Sequence, residues 1–272
     1  MTTQETQDLA RRIRAHTVRM TAAANVSHVG SGLSMADILA VLYDGFLRVD
    51  PENPQAADRD RFVLSKGHGA AALYATLAES GFFPVAWLDN FCADGAPLTG
   101  HVNSHGVPGV EVSTGALGHG LSIGCGLALA GRSTANAWRT VVLLSDGELD
   151  EGSTWEAILF AGHHRLGRLV AIVDDNGIQS FGRTAEVLDL EPLANKWRAC
   201  NWHVARIDGH DIAALRDALE AADETDGVPS VILASTIKGK GVSFMEDRLT
   251  WHYRSPRADE LALALSELGA DD

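Results

Sequence analysis

The stretch VVLLSDGELDEG, residues 141–152, decides how the chain is interpreted. Its first four residues form a continuous apolar run, which is typical of a strand buried on both faces of a sheet. Four acidic side chains follow directly, at Asp146, Glu148, Asp150 and Glu151. Carboxylates crowded at the end of a buried strand indicate either a solvated turn that caps the next helix or a metal site.

Three more short apolar runs repeat this pattern further along the chain. RLVAIVDD, HVARID and SVILAST each fit a buried strand, and helical patterns lie between them at 152–166, 191–200 and 211–222. Such alternation predicts an α/β fold of three layers, with a largely parallel central sheet flanked by helices. No repeat or linker interrupts the pattern, so residues 1–272 are expected to form a single domain.

The first half of the chain is more helical. Residues 5–24 carry apolar side chains at near-helical spacing, and an apolar stripe over 35–46 predicts a second helix. Ser34, with Asp37 three positions later, is typical of a capping box at its start. RFVLSK predicts a short strand and GHGAAALYATLAES a helix. Residues 92–116 are rich in Gly, Pro, His and Ser, which favours a loop.

Composition narrows the class of protein. The net charge of −14 argues against nucleic acid or an anionic membrane as a partner. The three cysteines, Cys92, Cys125 and Cys200, form no CxxC pair, which suits a reducing compartment and gives no thiolate zinc site. The start of the chain has no apolar signal region, and no apolar run reaches the ~18 residues of a membrane span. We therefore expect a cytoplasmic protein.

Residues 120–124, GLSIG, match the nucleophile elbow of serine hydrolases letter for letter. That elbow requires a buried strand before the serine, whereas the preceding STGALGHG has no strand pattern. The glycines Gly120 and Gly124 instead lie one helical turn apart. They predict a helix that approaches another helix closely, as at a subunit interface.

A second polar cluster, DDNG at 174–177, closes the next predicted strand. Asp146 and Asn176 are separated by one βαβ step, and ligands of parallel sheets bind at the carboxyl ends of the strands. A carboxylate, an amide oxygen and a nearby carbonyl suit Mg²⁺. The plainer alternative is a helix cap by Asp146 and an Asx turn by Asn176, and spacing alone does not exclude it. Glu148 and Asp150 are predicted to start the following helix.

Five stretches, in this order, resemble signatures of the N-terminal half of transketolase. They are SHVGSGLSMADILAVLY, LSKGHGAAALYA, GHVNSHGVPGVEVSTGALGHGLSIG, SDGELDEGSTWEA and DDNGIQSFG. The resemblance implies a thiamine diphosphate-dependent enzyme that passes a two-carbon ketol unit from a ketose donor to an aldose acceptor. One departure is Ser145, which stands where transketolases usually have glycine.

The resemblance also implies the site residues. Asp146, Asn176 and the backbone carbonyl of Ile178 would hold Mg²⁺, or Ca²⁺, against the diphosphate. Gly147 would let the backbone approach a phosphate closely. The remaining cofactor-binding residues implied are His68, Gly115, Ala116, Leu117 and Lys238, and the catalytic ones are His28, His68, His101, Glu151, Glu156 and His252.

Several of these residues receive distinct tasks from the resemblance. His68 would contact the diphosphate side of the cofactor. His28 and His101 match residues that bind the donor ketose and assist its proton transfers. Glu151 and Glu156 match carboxylates of a hydrogen-bonded relay that crosses a subunit interface.

Full-length transketolases continue into a pyrimidine-binding domain and a further C-terminal domain. We expect both on a separate chain, in an α2β2 assembly that acts on sugars or sugar phosphates. Three alternatives remain open. They are another thiamine-dependent enzyme of the same fold, such as deoxyxylulose phosphate synthase or a 2-oxoacid dehydrogenase component; a specialised biosynthetic ketol transferase; and a non-catalytic assembly protein.

Overall fold

The computed structural model describes residues 1–134, 138–225 and 227–270. Its strands are β1 (Arg61–Leu64), β2 (Thr140–Ser145), β3 (Leu169–Asp175), β4 (Ile178–Gln179), β5 (Gly182–Arg183), β6 (His203–Asp208) and β7 (Ser230–Ser235). Five of them form one sheet in the order β1-β2-β3-β7-β6, and every neighbouring pair is parallel. β4 and β5 form a separate antiparallel hairpin. The prediction of a largely parallel sheet is confirmed.

Helices surround this sheet. They are α1 (Thr3–Ala24), α2 (Val29–Ser34), α3 (Ala36–Val41), α4 (Ala70–Glu79), α5 (Gly120–Ser133), α6 (Gly152–His163), α7 (Thr184–Val187), α8 (Leu193–Ala199), α9 (Ile212–Glu224), α10 (Thr250–Tyr253) and α11 (Ala258–Glu267). Residues 92–116 contain no helix or strand, as predicted. None of the described helices combines the length and the apolar character that crossing a membrane requires.

The side chains of β2 alternate between two hydrophobic cores. Val141 and Leu143 pack into a core with α1, α3, α4 and α9, whereas Val142 and Leu144 face α5, α6 and α8. All four are fully buried. Burying an aliphatic side chain of this size contributes about 1.5–3 kcal/mol, so both faces of the strand stabilise the fold. The three-layer arrangement is therefore confirmed.

The capping box predicted at Ser34 and Asp37 is wrong. Ser34 is the last residue of α2, and its hydroxyl donates to a carboxylate oxygen of Asp174 at 2.6 Å. The carboxylate of Asp37 pairs with the guanidinium of Arg14. Both side chains thus bond to buried partners on other elements and do not cap the local backbone. The single helix predicted over 35–46 is replaced by α3 and a short π turn.

The helix contact predicted for Gly120 and Gly124 is also wrong, because both glycines face the sheet. A Cβ atom on Gly120 would lie 2.2 Å from the hydroxyl of Ser65, and one on Gly124 would lie 2.4 Å from a methyl of Val142. The small residues therefore let α5 approach β1 and β2. Ser122 is exposed in the first turn of α5. It follows no strand, so a nucleophile elbow is excluded there.

The C-terminal part of the chain returns to the first helices. Val18 and Leu33 form a small separate core with Val242, Trp251 and Leu268. This packing brings the segment that carries Lys238 and His252 back to the sheet edge near α2. The backbone N–H of Gly239 donates to the carbonyl of Gly30 at 3.0 Å.

Candidate active site

A cavity of about 210 Å³ lies at the carboxyl ends of β1, β2 and β3. Most of the predicted site residues line it: His28, His68, His101, Gly115, Leu117, Asp146, Gly147, Asn176, Ile178, Lys238 and His252. Ala116, Glu151 and Glu156 are outside the wall and exposed. The interface roles of the two glutamates stay predictions.

Asp146 and Asn176 meet because β2 and β3 pair in register, with Ser145 opposite Asp174. One carboxylate oxygen of Asp146 accepts from its neighbour Gly147 N–H at 2.7 Å, and the other accepts from the N–H of Gly177 at 2.6 Å. The side-chain oxygen of Asn176 accepts from the N–H of Ile178 at 3.2 Å, which is the geometry of an Asx turn. Each oxygen retains a further lone pair, so these turns and a metal site are compatible.

The electrostatics of Asp146 favour a cation. Burial, and then the negative charge of Asp174, raise the pKa of Asp146 to about 6. Among the described residues, no group of three or more His, Cys, Asp or Glu side chains is arranged to hold a metal. The cavity offers the amide oxygen of Asn176 and the backbone carbonyl of Ile178 as further oxygen donors. Hard oxygen donors of this kind fit Mg²⁺.

A buried ion pair between Lys66 and Asp174 lies next to the proposed metal ligand Asn176. Lys66 and Asp174 are both fully buried and contact each other directly. Burial opposes ionisation of Asp174, but Lys66 and hydrogen bonds from Ser34 and Thr236 hold its pKa below the usual value. A carboxylate oxygen of Asp174 lies 3.4 Å from the side-chain nitrogen of Asn176. This contact orients the Asn176 amide so that its oxygen, which keeps a lone pair beside the bond from Ile178, is the available ligand atom.

Lys238 places a second buried cation in the cavity wall. Its ammonium donates to the carbonyl of Ile178 at 2.9 Å and lies 3.1 Å from Nδ1 of His252. Burial, and then the charge of Lys66, lower the pKa of Lys238 to about 8. An ammonium group beside carboxylate and carbonyl oxygens suits a ligand that brings both a metal and phosphate groups.

Four imidazoles form the other side of the cavity. The ring of His28 lies 5.1 Å from that of His68, 5.9 Å from His101 and 5.0 Å from His252. Burial, reinforced by nearby cationic groups, lowers the pKa of His28 to about 4 and that of His252 to about 3. It also lowers the pKa of His68 well below its usual value. These three rings are therefore neutral near pH 7 and can exchange protons with hydroxyl groups.

Backbone geometry places these rings. His28 adopts a left-handed conformation with φ 76° immediately before α2. A Cβ atom on Gly67 would lie 2.5 Å from the carbonyl carbon of Thr114, so only glycine lets the strand-end turn touch that loop. Gly115 has φ 149°, and a Cβ atom there would lie 3.0 Å from the ring of His101. Two glycines thus keep the loop close to the imidazoles.

Position 147 requires glycine for a structural reason in addition to the close approach of a phosphate that the sequence predicts. A Cβ atom there would lie 2.7 Å from the Cβ of Gln179, which also lines the cavity. The side chain of Gln179 donates to the carboxylate of Asp150 at 2.9 Å. Asp150 therefore anchors the β4–β5 hairpin, and Glu148 is fully buried. The prediction that these two acids start the following helix is wrong.

Five further residues line the cavity without having been predicted: Ser31, Lys66, Ser145, Gln179 and Ser180. Lys66 carried one signal, because a lysine that directly follows an apolar strand needs an acidic partner. That partner is 108 positions away, so sequence spacing does not identify it.

Comparison with known proteins agrees with this geometry. The family model described as "Transketolase, thiamine diphosphate binding domain" matches residues 5–272. The chain is 43% identical to the 6-deoxy-6-sulfo-D-fructose transketolase subunit SqwG of Clostridium sp. (strain MSTE9), over 96% of this chain and 95% of that protein. It is also 43% identical to an apulose-4-phosphate transketolase subunit of Actinobacillus succinogenes, over 89% of this chain and 87% of that protein.

Solved structures give the same result. Transketolase from Campylobacter jejuni superposes with a TM-score of 0.93 at 32% identity, over 100% of this chain and 44% of that one. Transketolase from Leishmania mexicana gives a TM-score of 0.92 at 33% identity, over 98% of this chain and 41% of that one. The chain thus spans about two fifths of these solved enzymes. It belongs to the transketolase family and corresponds to the thiamine diphosphate-binding domain of that family.

Proposed function

We propose that this chain is the diphosphate-binding subunit of a split transketolase, which transfers a two-carbon ketol unit from a ketose donor to an aldose acceptor. The observation that carries the proposal is the composition of one cavity. Oxygen donors for a metal, a buried ammonium group and a cluster of imidazoles all face it. This set can hold a metal diphosphate at one end and sugar hydroxyls at the other.

At the diphosphate end, Asp146, Asn176 and the carbonyl of Ile178 would hold Mg²⁺. Lys238 and His68 line the same cavity and would donate to phosphate oxygens. When bound, the thiazolium ring of the cofactor supplies the electron sink for carbon–carbon bond cleavage. The protein's own task at this end is to fix the cofactor against the sheet edge.

At the imidazole end, His28, His101 and His252 would bind the donor ketose. The neutral ring of His28 can donate one N–H and accept one proton, whereas His252, whose Nδ1 faces the Lys238 ammonium, has its Nε2 N–H to donate. They are therefore suited to orient sugar hydroxyls and to move protons to and from them. The small volume of the cavity matches a small polar substrate.

We further propose that a second polypeptide supplies the pyrimidine-binding and C-terminal regions, in a cytoplasmic α2β2 assembly. Support comes from the two relatives described above, which are called subunits and which this chain covers over most of their length. Residues 1–272 would then form the one domain on the diphosphate side. Glu151 and Glu156 are exposed and remain available for a relay across the interface.

The assembly is tested by measuring ketol transfer with the chain alone, with the partner alone and with both. We expect activity only from the mixture, and loss of it when Asp146→Ala is used. Full activity of the isolated chain would contradict the split arrangement. An assembled complex that binds the cofactor and transfers nothing would favour a non-catalytic role.

A specialised sugar substrate is a second candidate. It is favoured by the names of three relatives, which refer to 6-deoxy-6-sulfo-D-fructose or apulose 4-phosphate. The same assay, run with a panel of branched, sulfonated and ordinary ketose phosphates as donors, separates the two candidates. A preference for ordinary ketose phosphates would exclude the specialised one.

A further inference from the structure

Glu148 belongs to the acidic stretch after β2, yet it does not line the cavity. Its side chain is fully buried. One carboxylate oxygen accepts from the hydroxyl of Ser65 and from the backbone N–H of Gly118 at 2.9 Å. The other accepts from the backbone N–H of Ser145 at 3.3 Å. Three separate segments therefore converge on one carboxylate.

Each of these segments forms a different part of the cavity wall. Ser65 directly precedes Lys66 at the end of β1. Gly118 closes the loop that contains Gly115 and Leu117. Ser145 ends β2 and is followed by the proposed metal ligand Asp146.

The peptide of Gly118 is held on both sides by the same segment. Glu148 accepts its N–H, and the hydroxyl of Ser153 donates to its carbonyl at 3.0 Å. Gly118 has φ 83°, and a Cβ atom there would lie 2.4 Å from the Ser153 hydroxyl and 2.8 Å from the Cβ of Glu151. The 115–118 loop therefore packs closely against residues 148–153 and leaves no space for a side chain at position 118.

Burying a carboxylate costs free energy unless hydrogen bonds compensate for the lost water. Burial raises the pKa of Glu148, and the donors from Ser65, Gly118 and Ser145 oppose that rise. Hydrogen bonds to a charged acceptor are stronger than those between neutral groups, so three of them can hold these segments in register. An apolar residue would fill the volume but would leave two backbone N–H groups unpaired.

We propose that Glu148 is a positioning residue that sets the distance between the 115–118 loop and the metal motif at 145–147. The proposal rests on the proposed function, in which the loop lies along the cofactor and the motif holds its diphosphate. A ligand that spans both segments depends on that distance. A ligand that occupies only the diphosphate end does not.

The first test follows amide hydrogen exchange in the full chain without ligand, so it does not depend on the proposed function. We expect Glu148→Ala to speed exchange in residues 115–119 about tenfold or more, since one lost charged hydrogen bond is worth that factor. Amides of β3 should be unaffected. Ser153→Ala should act on the same segment, and the double variant should add little because both side chains hold the same residue, Gly118.

The matched control is Asp60→Ala. Asp60 is a buried carboxylate that also accepts two backbone N–H groups, from Arg48 at 2.9 Å and Arg139 at 2.8 Å. It precedes β1 at the opposite end of the strands. Exchange that rises uniformly in the Glu148 variant, as we expect for the Asp60 variant, would show a merely structural role and overturn the proposal.

The second test uses the chain assembled with its partner and compares, by calorimetry, the affinities for thiamine diphosphate and for inorganic pyrophosphate, each with Mg²⁺. Glu148→Ala should weaken the first about tenfold and the second little. Glu148→Gln keeps one acceptor oxygen for Ser65 and Gly118 but sets its NH2 group against the N–H of Ser145, so it should restore only part of the loss. Equal loss for both ligands would overturn the proposal. A wild-type chain that binds neither ligand even when assembled with its partner contradicts the proposed function, and the exchange experiment then decides the role of Glu148.

Discussion

At the scale of single residues, His28 combines two unfavourable features. It has a positive φ, which is uncommon for residues other than glycine, and its half-buried imidazole packs among three others. Both features cost stability. Proteins keep such costly features mainly at functional sites. The two features of His28 therefore agree with the proposed contact between its ring and the donor sugar.

The burial of His28 predicts a pH dependence of stability. The pKa of His28 is about 4 in the folded chain against an ordinary value of 6.5, so between these values the unfolded chain binds the extra proton. Stability should therefore rise as the pH rises from 4 to 6.5. His28→Asn tolerates the positive φ and removes the titrating group. Urea unfolding at pH 5 and pH 7 should show a smaller difference for this variant than for the wild type.

The control for this experiment is His105→Asn, which changes an exposed loop histidine. Its stability should depend on pH as the wild type does. If His28→Asn leaves the whole difference between pH 5 and pH 7 unchanged, His28 is not the titrating group.

Residues of the site were predictable where the chemistry is local. Asp146 and Asn176 each follow an apolar run, so spacing alone brought them to one sheet edge. Glu148 was misassigned because its donors, Ser65 and Gly118, are distant in sequence. In the sequence, an acidic residue that stands among other acidic residues is expected to be exposed to solvent. Only the tertiary contacts show that Glu148 is buried.

At the scale of elements, Lys66 and Asp174 link two strands that are not neighbours, because β2 lies between β1 and β3. Removing one partner of a buried pair leaves an uncompensated charge. Lys66→Met should therefore lower the free energy of unfolding by about 3–5 kcal/mol, measured by urea denaturation. The matched variant is Arg183→Ala, which removes an ion pair with Asp247 that is about half exposed. It should cost about 0–1 kcal/mol, and equal effects would contradict the assignment.

Two helical glycines give a second prediction at this scale. A Cβ atom on Gly162 in α6 would lie 1.8 Å from the carbonyl oxygen of Cys200, whereas one on Gly126 in α5 would meet nothing within 4 Å. Gly162→Ala should destabilise the chain by about 1–3 kcal/mol through this clash. Gly126→Ala should stabilise it by about 0.5–1 kcal/mol through helix propensity alone. Unfolding midpoints that move in the same direction for both variants would contradict the packing described.

Element prediction succeeded where the apolar period was long and failed where buried polar groups intervene. α1 begins and ends close to the predicted 5–24, with a real capping box from Thr2 and Glu5. The helix predicted over 35–46 is interrupted because Gly45 adopts φ 116° and ends the regular backbone. The spacing of apolar residues in the sequence does not reveal a single residue with a left-handed backbone conformation.

At the scale of the whole molecule, the three layers followed from the sequence because apolar runs alternate with amphipathic helices. The sequence did not predict which helices share a face of the sheet. That choice depends on crossovers between distant segments, as when α1 and α9 pack on one face and α5 on the other. The return of the last helices to α1 and α2 depends in the same way on side chains such as Trp251 and Leu33.

The position of the cavity at one end of the sheet predicts how ligands stabilise the whole chain. Thiamine diphosphate with Mg²⁺ would contact the ends of three strands and the returning C-terminal segment, and so bind only the folded state. At one hundred times the dissociation constant this linkage is worth about 2.7 kcal/mol. The melting temperature should then rise by about 5 °C or more. Chelation of the metal, or Asp146→Asn, should remove most of the increase, since the diphosphate then loses its bridge to β2. An increase that persists unchanged under chelation would mean that the cofactor is held through Lys238 and the imidazoles without a metal.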